Sequence, residues 1–165
     1  MRTNLLAVTL VCLTFSLGCK ADQSPASSPT PTQPAATASP APTSKSGSTL
    51  ANLTDGRTLN FDLATGNWGS GDSFGQIYFI NPNNHYMLNA VKDATFLDAG
   101  TTAPSEAPET GYSASPGGME VFPGRTYLVK IPGNPTIYSR ISVSMAQSNL
   151  VKFDFNTRLD GKKNF

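Results

Sequence analysis

From Leu50 to Phe165 the chain alternates apolar and polar residues in short runs separated by turn residues, and no stretch keeps a helical period. Thr58 to Leu63 puts Leu59, Phe61 and Leu63 on one face, and Gln76-Ile77-Tyr78-Phe79-Ile80 reads as a second strand. Asn81-Pro82-Asn83-Asn84 then forms a turn, with His85 to Val91 as the hairpin partner. Near the C-terminus, Thr126 to Ile131, Ile137 to Met145 and Leu150 to Phe155 predict a three-stranded antiparallel meander with one buried face. Its inward sets are Ile141, Val143 and Met145 on one strand and Val151, Phe153 and Phe155 on the next. Pro132-Gly133 fits the central positions of a type II turn between the first two strands. Gly100 to Gly118, with three prolines and few apolar residues, reads as a long surface loop. The pattern predicts an all-β fold over residues 49–165, a small antiparallel sandwich or partly open barrel.

The first 48 residues have a different pattern. Leu5 to Gly18 is uncharged and mostly apolar behind Arg2, a length that suits a signal peptide core and is short for a membrane span. It ends Leu17-Gly18-Cys19, which resembles the lipobox of bacterial lipoproteins, although Ser16 stands where leucine is commoner. That resemblance implies removal of residues 1–18 and acylation of Cys19, the expected lipidation site. The competing reading is ordinary cleavage after Ala21 at Cys19-Lys20-Ala21. Cys12 follows Val11 rather than a small residue and is the poorer acceptor. One acyl chain holds a protein to a membrane only reversibly, at about 0.8 kcal/mol per CH₂, whereas the two or three implied here hold it permanently. Lys20 after the cysteine points to the outer membrane in a two-membrane bacterium.

Ala21 to Ser48 contains six of the 13 prolines and no large apolar side chain. Such a segment cannot bury enough surface to offset its ordering entropy. Residues 19–48 are therefore expected to be a disordered tether, reaching roughly 80 Å if extended at about 3.1 Å per residue.

Composition narrows the function. Charged residues are 14% of the chain, with 12 basic and 11 acidic, and loss of Arg2 leaves eleven of each. No basic excess is left to neutralise phosphates, so nucleic acid is not an expected partner. Both cysteines lie in the first nineteen residues, so no disulfide staples the domain. His85 is the only histidine, which rules out a zinc site built from His and Cys alone, and no cofactor is expected. Asp72, Asp93 and Asp98 lack calcium-loop spacing, and Glu106 and Glu109 fall in the Pro-rich loop as ordinary solvated carboxylates. Gly71-Asp72-Ser73-Phe74-Gly75 matches G-x-S-x-G, but a nucleophile elbow needs a following helix and Gln76 to Ile80 reads as a strand. Trp68 reads as a core or loop anchor, or else as an exposed ring for stacking.

Four segments resemble a small β domain of bacterial lipoproteins and surface proteins, including the haem-carrier lipoproteins of the HmuY type. They are Phe61-Asp62-Leu63-Ala64-Thr65-Gly66, Ala107-Pro108-Glu109-Thr110-Gly111-Tyr112, Gly124-Arg125-Thr126-Tyr127-Leu128-Val129-Lys130 and Tyr138-Ser139-Arg140-Ile141-Ser142-Val143. The chain departs from that family at Pro132-Gly133-Asn134-Pro135, where an Asp-Gly turn is usual, and in lacking the longer central part of the haem carriers. The resemblance implies an extracytoplasmic all-β module. The expected function is a binding or scaffolding module, anchored through Cys19, for an envelope or surface protein. A small-ligand carrier with a pocket of Tyr86, Met87, Tyr112 and Met119 is the second reading, and a hydrolase using Ser73 the third. The anchor is tested first: a fatty-acid label should mark the wild-type chain in growing cells and miss Cys19→Ser, and equal labelling of both would contradict acylation at Cys19.

Overall fold

A computed structural model describes residues 41–54 and 59–165. Cys12, Cys19 and residues 19–40 of the expected tether lie outside the described residues. Among the described residues ten strands form two antiparallel five-stranded sheets, a sandwich that is not closed into a barrel. In chain order they are β1 (Ser44–Asn52), β2 (Asn60–Asp62), β3 (Asn67–Gly69), β4 (Ile77–Ile80), β5 (Met87–Ala90), β6 (Thr95–Gly100), β7 (Met119–Glu120), β8 (Thr126–Ile131), β9 (Ile137–Gln147) and β10 (Leu150–Arg158). The first sheet runs β1-β10-β9-β8-β6 and the second β3-β2-β4-β5-β7.

The inner faces carry the alternating apolar sets. Phe61, Ile77, Phe79 and Leu88 come from the second sheet, and Phe96, Tyr127, Val129, Ile141, Val143, Val151, Phe153 and Phe155 from the first. At the centre the Phe61 ring lies 5.4 Å from Phe153 and 5.1 Å from Phe155, both edge-on, and Phe79 lies 5.1 Å from Phe153. Edge-to-face pairs of this kind add about 0.5–1.5 kcal/mol each beyond the area they bury. Gly75 belongs to the same arrangement. It has φ +67°, and a Cβ there would lie 2.7 Å from the Phe61 carbonyl oxygen, so only glycine lets the chain cross the Phe61 backbone into β4. Gln76 N–H then donates to that carbonyl at 3.0 Å.

The C-terminal meander forms as its alternation predicts, but the structure corrects four expectations. First, the domain begins before residue 49, because β1 starts at Ser44 and pairs with β10 from Ser44↔Arg158 to Asn52↔Leu150. Its inward positions are small, Gly47, Thr49 and Ala51 opposite Phe155, Phe153 and Val151, because the aromatic rings of β10 fill the space. A Cβ on Gly47 would sit 3.1 Å from the Phe155 ring. Second, Met145 does not share a face with Ile141 and Val143. The register shifts between Lys152 and Phe153, and the bulge turns Met145 to the Lys152 side and Ala146 to the core. Third, Pro132-Gly133 is not a type II turn, because Gly133 is absent from the positive-φ positions; the connection is a longer loop with a cis Asn134-Pro135 bond. The tight turn lies instead at Ser148-Asn149, with φ of 53° and 60° between the paired Gln147 and Leu150.

The fourth correction concerns Gly100 to Gly118. Part of it packs on the outer face of the first sheet, held by the C-terminal tail. Ala107 N–H donates to the Lys163 carbonyl and Phe165 N–H to the Ser105 carbonyl. Arg140 Nη1 donates to the Pro104 carbonyl at 2.8 Å, and its guanidinium stacks 5.1 Å from the Phe165 ring centre. Leu128 and Tyr138, on that outer face, are consequently only 1% and 8% exposed.

Two outcomes check this architecture. Phe153→Ala should destabilise the domain by roughly 3–5 kcal/mol in denaturant unfolding. A chain starting at Thr49 should be less stable than one starting at Ala41 by on the order of 2 kcal/mol, since it loses five cross-strand pairs. Equal stability of the two chains would remove β1 from the working fold.

Candidate functional site

Most residues singled out in the sequence have structural duties. Trp68 packs 4.8 Å from Phe61 and donates its Nε1–H to Thr49 Oγ1 at 2.9 Å, so it anchors β3 to β1 across the sheets. Ser73 lies exposed in the turn between β3 and β4, and its carbonyl accepts Lys92 Nζ at 3.2 Å. A strand follows it, and the two glycines have separate reasons: Gly71 sits in open space at φ +101°, and Gly75 passes close to the Phe61 backbone. His85 Nδ1 lies 2.6 Å from Glu120 Oε1 on an exposed surface. Among the described residues no group of three His, Cys, Asp or Glu side chains could hold a metal ion.

The four residues of the carrier reading do not converge. Tyr86 packs against the core and its hydroxyl accepts Asn149 N–H at 3.1 Å. Met119 pairs with Leu88 in β7 and packs inward, whereas Met87 pairs with Ile80 on the opposite side of the second sheet. Tyr112 lies on the outer face of the first sheet, where Lys130 Nζ sits 5.7 Å above its ring. Burial, and secondarily nearby Tyr138, push its hydroxyl up to about 12, and that oxygen has no hydrogen-bond partner among the described residues. Glu109 is not an ordinary carboxylate either. Its hydrogen bond and ion pair with Lys163 hold it below the usual range, tying the loop to the tail.

The outer face of the second sheet carries a grouping that no structural duty exhausts. Asn60, Tyr78 and Asn89 stand side by side on β2, β4 and β5, by the pairings Asn60↔Tyr78 and Tyr78↔Asn89. Their neighbours Phe61, Ile77 and Leu88 fill the core, so strand alternation points this row outward. Both asparagines are more than nine-tenths buried while Tyr78 is half-buried. Asn60 Nδ2 donates to the Gly71 carbonyl at 2.9 Å, and Asn89 Nδ2 to the Met87 carbonyl at 3.3 Å, which sets the plane of each amide. Two concavities meet at Tyr78, Ala90 and Lys92. One, of about 450 Å³, is walled by Gly71 and Asp72; the other, of about 430 Å³, by Asp93 and Ala114 to Gly117. Both fall in the roughly 300–1,000 Å³ range of ligand sites. The bond from Lys92 Nζ to the Ser73 carbonyl ties the β5–β6 loop to the β3–β4 loop. Sequence reasoning missed this row because its members lie on three different strands. The only sequence signal was the polar residues facing out of otherwise apolar runs.

No family model, curated protein or solved structure matches the chain. The likeness to haem-carrier lipoproteins therefore stands on the four quoted segments alone. In the structure those segments form β2 with its following turn, part of the cover over the first sheet, and strands β8 and β9. Haem iron is usually held by His, Met, Cys or Tyr side chains on opposite sides of the ring. With His85 engaged by Glu120, Met87 in the second sheet and Tyr112 in the segment over the first, haemin added to the full chain should give no sharp, saturating Soret shift. A one-to-one shift abolished in His85→Ala would reinstate the carrier.

Proposed function

We propose that the chain is a membrane-anchored extracytoplasmic lipoprotein whose β domain is a binding module for a partner in the cell envelope or at the cell surface. The observation that carries the reading is the inequality of the two outer faces. The first sheet is covered by residues 104–112 and the C-terminal tail, and buries Leu128 and Tyr138 beneath them. The second sheet leaves Tyr78 in an open groove with loop walls on both sides. A polar row of Asn60 and Asn89 flanking an aromatic residue is of little use to a hydrophobic core, and among the described residues each asparagine side chain makes one hydrogen bond. Leu17-Gly18-Cys19 and the proline-rich segment behind it support anchoring and reach. The Ser73 hydrolase reading gains no support, since its turn leads into β4.

Site-specific photo-crosslinking in living cells tests the reading. A crosslinker at Ile80 or Ser115, beside the groove, should give defined adducts with envelope material. One at Lys162, in the tail over the first sheet, should give few. Equal adducts from both faces, or none from the groove side, would contradict the assignment.

A further inference from the structure

We propose that the groove over Tyr78 is a saccharide site that takes neutral pyranose units of a glycan; this deepens the binding-module reading and rests on it. The row Asn60-Tyr78-Asn89 supplies the chemistry. Directly opposed residues in antiparallel strands stand about 5 Å apart at Cβ, so an asparagine stands on each side of Tyr78 in the row. The face of an aromatic ring carries negative potential and attracts weakly positive C–H groups, which the flat face of a pyranose presents in a row. A primary carboxamide has two N–H donors and an acceptor oxygen. Each asparagine donates one hydrogen bond within the chain among the described residues, and each lines one of the concavities, Asn89 with Gly118 packed closely against its carboxamide. Vicinal hydroxyls, each both donor and acceptor, are the groups that match such a pair.

Charge decides against the nearest competitors. Lys92 stands at the junction of the two concavities, with Asp72 in one wall and Asp93 in the other. One cation between two carboxylates gives no positive focus for a phosphate, sulfate or carboxylate ligand, which would call for clustered Arg or Lys. Opposite charges on a short rim suit a neutral ligand rich in hydroxyls. Shape agrees: the concavities join at Tyr78 and are open, with glycine, alanine and serine in the walls, so a chain of sugar rings can lie across the sheet with one ring on the tyrosine. A protein partner of ordinary chemistry would call instead for an apolar patch at the contact centre.

The test titrates the full chain in detergent micelles with cellohexaose, mannohexaose and chitohexaose, and with a sulfated heparin hexasaccharide, followed by saturation-transfer NMR. At least one neutral hexasaccharide should bind, and better than the sulfated one. Tyr78→Ala, which removes the stacking face, should weaken it about tenfold or more. Ala114→Trp, which fills the groove from an exposed position without deleting a buried group, should do the same. Lys152→Ala, on the other sheet, should change nothing, and matched melting curves show that the variants are folded. The proposal is overturned if no neutral probe binds, if binding ignores both groove variants, or if the sulfated probe is preferred. Should saccharide binding fail while crosslinks from Ile80 and Ser115 still capture a protein, the saccharide site falls and the binding module stands. Should both fail, both fall.

Discussion

The contact of Phe61 with Phe153 and Phe155 is what makes one domain of two sheets. Neither sheet can bury its apolar face alone, and β2, β3 and β7 are only two or three residues long. The aromatic cluster joins the short strands of the second sheet to β10, one of the long strands of the first. Its demands then spread outward through sterics. Gly75 exists to let the chain pass the Phe61 backbone, and Gly47, Thr49 and Ala51 are small because β10 supplies the bulk. Trp68 closes the cluster at the edge, with its indole N–H satisfied by Thr49.

That division of volume explains what the sequence disclosed. Where a strand carries its own large residues, as β8, β9 and β10 do, period-two alternation located it to within a few residues. β1 was invisible because its partner does the filling, so its sequence Ser44-Lys45-Ser46-Gly47-Ser48 reads as tether. Met145 was misplaced for a different reason: one bulged residue reverses every later side chain, and no composition signal marks it. The cover of the first sheet was hidden because it is held by main-chain bonds between Ala107 and Lys163 and between Ser105 and Phe165, which sequence pattern does not register. The candidate site was hidden by distance, since Asn60, Tyr78 and Asn89 meet only through the β2-β4-β5 register.

The same constraints make the two outer faces differ. The first sheet needs its cover, because Leu128 and Tyr138 would otherwise be exposed apolar surface. The cover is tied at several points, including Lys163 to Glu109 and Arg140 to Pro104. The second sheet places polar groups where a cover would be, and two loops rise beside them instead. That face is the one left open to solvent.

Amide deuterium exchange on the full chain tests this account most directly, comparing native envelopes with detergent-extracted, purified protein. The account expects slower exchange in envelopes at β2, β4 and β5 and in the loops at residues 70–73 and 114–117. It expects the same rates in both preparations at residues 104–112 and 159–165. Protection confined to those cover segments, with the second sheet unchanged, would contradict it.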